Sequence, residues 1–323
     1  AFLRPNRHTI GSDPEMFVVN KNGEVIPAFT FLKDKKTNPH VYWGVFQAEF
    51  AHGPAGCLES HLGAISSLLS ELSKFAFVAD GVISSKSTVD IPQKLLESAK
   101  DEHVEFGCVP SFNAYNMTGH MMPGRSVNFR SAGGHLHFGK LDVHPSTWVK
   151  IVKMLDATIG VACVSFFAKH DDPRRRTMYG LAGEYRLPKH GMEYRVLSNM
   201  WLCHPTVANM VVDLARRVVT LGLLGGDLPF NYDEQRVINI INNCDVEDAK
   251  KYLTENQDWI KSIIGSSYWN RSEEAEAVYN LFLLGIDAVV EKVDAVISNW
   301  KDQHTKRWTN FYSYNYTQGK KAS

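Results

Sequence analysis

The chain has 323 residues, 44% of them apolar and 22% charged, a balance that fits a folded globular protein and excludes disorder for most of its length. Lys plus Arg number 35 and Asp plus Glu number 35, so the formal net charge is zero and no basic excess is present to support general nucleic-acid binding. The 5 cysteines, Cys57, Cys108, Cys163, Cys203 and Cys244, are widely spaced and form no C-x-x-C pair, which argues against a disulfide framework and a zinc ribbon. The longest uncharged apolar stretch, Ala157 to Ala168, falls far short of the ~20 residues that span a bilayer. Ala1-Phe2-Leu3-Arg4-Pro5 shows no hydrophobic leader, so the expectation is a cytoplasmic protein with reduced thiols and no membrane contact.

No internal repeat or low-complexity tract is visible. Residues 9 to 29 read as β-rich, with Asn22-Gly23 between Met16–Val19 and Val25–Ile26 signalling a hairpin, because both turn residues tolerate φ > 0. Tyr42 to Phe50 is a second candidate strand. Leu58, Leu62, Ile65, Leu68, Leu69, Leu72 and Phe75 recur at three- and four-residue spacing and predict a helix. Gly133 to Gly139 alternates as a strand. Pro145 to Ala168 predicts a helix capped by Ser146 or Thr147, followed by a charged, glycine-containing loop from Asp171 to Gly183. Glu193 to Leu197 predicts another strand. From Pro205 the chain reads mainly as helix, including Ala275 to Trp300, and an aromatic, polar tail follows Trp308. Short strands carry the polar motifs and helices appear as insertions and as a C-terminal block. That order predicts an α+β fold. Neither a P-loop nor a dinucleotide fingerprint is present.

Four groups of residues could carry chemistry. Asp13-Pro14-Glu15 would place two carboxylates on one face of an extended chain, which suits a hard cation; a polar turn explains the same residues without function. His135-Leu136-His137 follows two glycines that let a ligand approach the backbone, and the alternative is a pair of satisfied polar residues on a half-exposed strand. A zinc hydrolase would need further His or Asp ligands at metal spacing. Arg174-Arg175-Arg176, Arg186-Leu187-Pro188 and Glu193-Tyr194-Arg195 supply guanidinium groups that can clamp phosphate. Arg174 and Arg175 read as a solvated pair, whereas Arg176, Arg186 and Arg195 read as functional. Glu49 sits among strand-like apolar residues, where a buried carboxylate needs a partner or a metal.

Taken in order, D-x-E, a strand glutamate, H-x-H, an arginine loop ending in R-L-P, and E-x-R resemble the carboxylate–amine ligase superfamily of glutamine synthetase and glutamate–cysteine ligase. Gly11 to Glu15, Phe129 to Gly139, Tyr179 to Gly183 and Glu193 to Trp201 look like the phage-encoded amidoligase type 2 family first described in phiEco32-like phages, a resemblance that covers roughly residues 10 to 205. The segment Trp43-Gly44-Val45-Phe46 departs from it, because family members often carry an acid shortly before the position of Glu49. The resemblance implies a curved, mainly antiparallel sheet with helices outside; with the helical reading from Pro205 onward, the expectation is a catalytic domain over 1–230 and a helical extension packed on it over 231–323. The resemblance also implies ATP-dependent amide formation through an acyl phosphate. Asp13, Glu15, Glu49, His135 and Glu193 would hold Mg²⁺ or Mn²⁺; His137 would contact nucleotide phosphates; Arg176, Arg186 and Arg195 would neutralise the transferring phosphoryl group; Arg130 would hold a substrate carboxylate. The implied partners are a small-molecule or peptide carboxylate and an amine, with a homo-oligomer or virion association also open. Three other readings stay open: a structural or virion protein that keeps the fold, a guanidino phosphotransferase, and a zinc hydrolase using His135 and His137.

Overall fold

A computed structural model describes residues 8–84, 86–100, 111–116, 127–139, 143–265 and 286–298. It is an α+β arrangement whose described strand pairs are all antiparallel. The strands are β1 (Thr9–Ser12), β2 (Glu15–Val19), β3 (Val25–Ile26), β4 (Val41–Trp43), β5 (Ala48–Phe50), β6 (Val82–Ser84), β7 (Thr88–Asp90), β8 (Phe112–Asn113), β9 (Phe129–Ser131), β10 (Leu136–Gly139), β11 (Glu184–Arg186) and β12 (Gly191–Tyr194). One sheet runs β1-β10-β12-β11-β8, a second runs β3-β2-β5-β4 with β6 on the other side of β2, and β7 pairs with β9. The chain leaves the first sheet at Ser12 and enters the second at Glu15, so Asp13-Pro14 is the junction between them.

The helices are α1 (Leu58–Val78), α2 (Gln93–Ser98), α3 (Pro145–Leu155), α4 (Val161–Phe166), α5 (Pro205–Leu223), α6 (Glu234–Asn243), α7 (Val246–Glu255), α8 (Gln257–Gly265) and α9 (Ile286–Ser298). The apolar stripe predicted for α1 is its buried face, including Leu62, Ile65, Leu69 and Leu72. It packs with α5 and α3, and with Leu136, Phe138, Met192 and Tyr194 of the first sheet, into one core. No helix among the described residues is long and apolar enough to cross a membrane.

Several expectations change in detail. The hairpin at Asn22-Gly23 forms, and Gly23 alone takes the left-handed conformation, at φ 78°. Tyr42 to Phe50 is a hairpin of β4 and β5, closed where the Gly44 amide donates to the Gln47 carbonyl at 2.9 Å. The predicted helix from Pro145 begins as foreseen, but its cap is His144, whose ring accepts from the Ser146 amide. A π-helical turn over Asp156–Gly160 then separates α3 from α4. That extra residue per turn aims Asp156 into the sheet, where its carboxylate accepts from the Tyr194 hydroxyl at 2.6 Å, the Gly183 amide at 2.6 Å and the Tyr115 hydroxyl at 2.9 Å. Burial pushes its carboxyl up to about 7. The strand predicted from Glu193 to Leu197 ends at Tyr194. Residues 275–285 and the aromatic tail lie outside the described residues.

Arg175 is the clearest correction. Expected in solvent, it is buried, and its guanidinium donates to the carbonyls of Val196 at 2.9 Å and Leu197 at 2.6 Å. Arg174 is exposed, as expected, and pairs with Asp172 and Asp90. Burying a guanidinium is tolerable only when its donors are matched, and here it caps the carbonyls that follow β12. Arg175→Met is therefore expected to destabilise the protein by about 2 kcal/mol or more in urea unfolding, from carbonyl groups left unpaired, while Arg174→Met costs less than about 1 kcal/mol.

His8 and His61 are also buried, and both ring nitrogens of each lack a hydrogen-bond partner among the described residues. Burial, with the Arg216 charge, lowers His8 to about 4; burial, with His52, Arg216 and His137 nearby, holds His61 well below the ordinary range. Both are thus neutral in the folded state, while their unfolded counterparts take up protons below about 6.5. The unfolded state binds more protons in that window, so stability is expected to fall as pH drops from about 6.5 towards 4. His8→Gln should flatten that slope in urea titrations at stepped pH; an unchanged slope would show that His8 is not held neutral.

Candidate functional site

The site is built on one row of the first sheet. Antiparallel register sets Gly11 of β1 opposite His137 of β10, His137 opposite Glu193 of β12, and Glu193 opposite Arg186 of β11. Side chains directly opposite one another share a face, so β10, β12 and β11 deliver a histidine, an acid and an arginine in line, beside the bare Gly11 of β1. Alternation turns Leu136, Phe138 and Tyr194 the other way, into the core. The segment before β10 needs its glycines. A side chain at Gly134 would overlap the Trp201 indole, whose N–H donates to the Gly134 carbonyl at 3.0 Å.

Glu193 is the centre of the row and is only 2% exposed. Arg186 grips it in a fork: Nε donates to Oε2 at 2.7 Å and Nη2 to Oε1 at 2.7 Å. Arg195 Nε lies 3.2 Å from the same Oε1, and His135 Nδ1 lies 3.5 Å from it. Burial acts to raise the Glu193 carboxyl, but His135 and Arg186 outweigh it and hold the group below its usual range. Asp13 reaches the row from the sheet junction, with Oδ1 2.9 Å from His137 Nε2 and 3.5 Å from His135 Nδ1. Burial opposes its ionisation too, yet the two histidines keep it well below the carboxylate range. Burial acts to lower His137, but the charges of Asp13 and Glu193 raise it, and its Nδ1 meets His190 Nε2 at 3.0 Å.

Glu15 and Glu49 approach from the second sheet, paired directly across β2 and β5. Glu15 Oε2 accepts from the Gly133 amide at 2.6 Å and the Tyr179 hydroxyl at 2.8 Å. Glu49 is pushed up to about 8 by burial and by the charges of Glu15 and Asp13. It lies against Gly44, where any side chain would overlap its carboxylate. The missing acid in Trp43-Gly44-Val45-Phe46 thus coincides with a turn that must be bare to seat Glu49.

The residues singled out in the sequence separate into two groups. Asp13, Glu15, Glu49, His135, His137, Arg186, Glu193 and Arg195 line or border one site. Arg176 does not join them: its guanidinium donates to the Val196 carbonyl at 2.9 Å and its charge acts on Asp156 and Tyr194, behind the sheet. Arg130 is also diverted. It is buried, donates to the carbonyls of Val127 and Phe129 at 2.8 Å each, and lies over the Phe46 ring. Both of these bonds come from Nη1. Sequence reasoning passed over Tyr179 and His190 as site members, because a tyrosine in a loop and a histidine before a glycine carry no spacing signal.

The donor set fits a divalent cation. Asp13, His137 and Glu193 offer ligand atoms that all lie within 4.8 Å of one another. His135 Nε2 is buried and has no hydrogen-bond partner among the described residues, beside the bare Cα of Gly133. Burial, together with the nearby carboxylates of Glu15 and Asp13, drives Glu49 to about 8, an electrostatic environment that a cation relieves. Oxygen ligands with imidazole suit Mg²⁺ and Mn²⁺. Gly44→Ala is expected to displace Glu49 from this environment and return its titration from about 8 towards an ordinary glutamate value, read by carbon-detected NMR of the metal-free protein. A Glu49 carboxyl still titrating near its original value would mean the turn does not hold it.

A search of curated proteins finds no match. Among solved structures the fold is similar to a bifunctional glutathione synthetase from Pasteurella multocida, with a TM-score of 0.52 and 11% sequence identity over 97% of this chain and 52% of that one. The chain thus spans about half the length of that enzyme, and at this identity the likeness is one of fold. The model of the phage phiEco32-like COOH.NH2 ligase-type 2 family matches residues 109–291, which takes in the His135–His137 segment, the arginine loop and Glu193-Tyr194-Arg195, and continues through α5 to α8. With more than half its length matched, the chain belongs to the phage phiEco32-like carboxylate–amine ligase type 2 family.

Proposed function

We propose that the protein is an ATP- and Mg²⁺-dependent carboxylate–amine ligase that forms an amide or peptide bond through an acyl phosphate. The observation that carries this reading is the convergence of acids, imidazoles and two arginines on one face of the first sheet, centred on Glu193. A carboxylate is a poor electrophile. An attack of its oxygen on the γ-phosphorus of ATP, with ADP leaving, converts it to an acyl phosphate. The amine then attacks the acyl carbon, phosphate leaves, and the nitrogen gives up a proton. Phosphoryl transfer asks the protein for positioned charge more than for covalent chemistry.

The residues divide that work. A divalent cation, when bound, supplies charge neutralisation on the phosphates. Asp13, Glu15, Glu49, His135 and Glu193 are the residues that would hold it, and His137 stands beside Asp13 where it can serve as a ligand or as a phosphate contact. Arg186, a quarter exposed, and Arg195 offer the cationic side of the site. The sheet with its row of polar residues, together with the likeness to a glutathione synthetase, supports placing the fold with glutamine synthetase and glutamate–cysteine ligase. Family membership supports a phage origin and action in the host cytoplasm on a small-molecule or peptide acid and an amine.

The test is calorimetry of Mg–ATP binding to the wild type and to His135→Ala. Binding that depends on metal and weakens at least tenfold in the variant is the expected result. Absence of binding to the wild type, in the presence and absence of candidate acids, would leave a structural protein with the ligase fold as the better reading.

A further inference from the structure

Tyr179 stands where the two sheets meet. Its hydroxyl donates to Glu15 Oε2 at 2.8 Å, with the Ser131 carbonyl as a second, more distant acceptor at 3.2 Å. The Gly133 amide donates to that same Oε2 at 2.6 Å. One oxygen of the carboxylate is therefore saturated by two donors, and no hydrogen bond to Oε1 is formed among the described residues. The ring of Tyr179 is itself immobilised. The Arg175 guanidinium lies 5.0 Å from its centroid, the Arg195 guanidinium 5.8 Å, and the His135 ring meets it edge-on at 5.8 Å. Arg175 is tied to the carbonyls after β12, and Gly180, at φ 84°, leaves the space that the guanidinium occupies. The phenol is thus bolted to the backbone that carries Arg195, and it points its hydroxyl at an acid from the other sheet.

We propose that Tyr179 is a positioning residue that locks the rotation of the Glu15 carboxylate, so that Glu15 offers a single oxygen to a divalent cation and the site discriminates Mg²⁺ and Mn²⁺ from Ca²⁺. The proposal rests on the reading of Glu15 as a metal ligand. Its logic is steric. Small cations bound in octahedral geometry take carboxylates through one oxygen, whereas Ca²⁺ accepts more ligands and readily takes a carboxylate through both. A carboxylate with Oε2 fully hydrogen-bonded resists the two-oxygen mode. Removing one of the two donors loosens that restriction and leaves the ring packing in place. Partners that orient a metal ligand typically change metal affinity 10- to 100-fold when removed.

The experiment is direct titration of the nucleotide-free protein with Mn²⁺, followed by electron paramagnetic resonance, and with Ca²⁺ in competition, for the wild type, Tyr179→Phe and Glu15→Gln. The expected result is that Tyr179→Phe melts within a few degrees of the wild type, binds Mn²⁺ about tenfold or more weakly, and loses at least as much of its preference for Mn²⁺ over Ca²⁺. A simple structural role would weaken both ions together and leave the ratio unchanged, and that outcome overturns the proposal. Glu15→Gln separates the two levels. If it abolishes Mn²⁺ binding while Tyr179→Phe keeps the wild-type ratio, the positioning role alone fails. If it binds Mn²⁺ as the wild type does, Glu15 is no ligand, and the proposal falls with that reading.

Discussion

The site depends on keeping one buried carboxylate charged. Glu193 is almost wholly removed from water, and an isolated charge there would cost several kcal/mol. The two-pronged grip of Arg186 makes its ionisation tenable, and that grip exists because β11 and β12 pair with Arg186 directly opposite Glu193. A shift of register by one residue would turn Glu193 into the apolar core and bring Tyr194 into the site. The register is in turn defended from behind, where the Tyr194 hydroxyl is held by Asp156 and the carbonyls beyond the strand are held by Arg175. The chemistry on one face is thus set by hydrogen bonds on the other.

The second sheet contributes the opposite kind of constraint. Arg186, Arg195 and the histidines compensate Glu193 and Asp13, but Glu15 and Glu49 arrive as a like-charged pair across β2 and β5. Their repulsion, added to burial, drives Glu49 up to about 8. Directly opposed like charges destabilise a sheet unless something else binds them. A fold that keeps such a pair beside Asp13 holds electrostatic energy in reserve for a cation or a proton. The two amide and phenol donors on Glu15 relieve part of it and at the same time restrict how that carboxylate can turn.

Both sheets meet on very small residues. Gly44 leaves room for Glu49, Gly133 lies under the His135 ring, and Gly134 packs against Trp201. These positions bring backbone and functional side chains closer than any Cβ would permit. The π-helical turn at Asp156–Gly160 does the same for the helix layer, since Gly160 lets the helix come within reach of the Tyr194 hydroxyl. Close approach is what allows a site of many charges to be assembled from short strands.

Local pattern carried much of this. The alternation around His135 and His137, the stripe of α1, the Asn22-Gly23 turn and the ordered series of acid, imidazole and arginine motifs are legible because each depends on spacing within one segment. Segment ends were less legible: the break between β4 and β5 and the π-turn after α3 depend on what those segments must touch. Least legible was the division among the arginines. Arg174, Arg175 and Arg176 are identical neighbours in the sequence, yet Arg174 reaches solvent and pairs with Asp90, while Arg175 and Arg176 turn inward and share the Val196 carbonyl. Which partner a guanidinium meets is a property of surfaces brought together from distant parts of the chain. The inventory and order of the reactive groups belong to the linear chain, because they are read along the backbone. Which of them face one another is fixed on folding, because it follows from strand register and from which bare backbone positions allow two sheets to close.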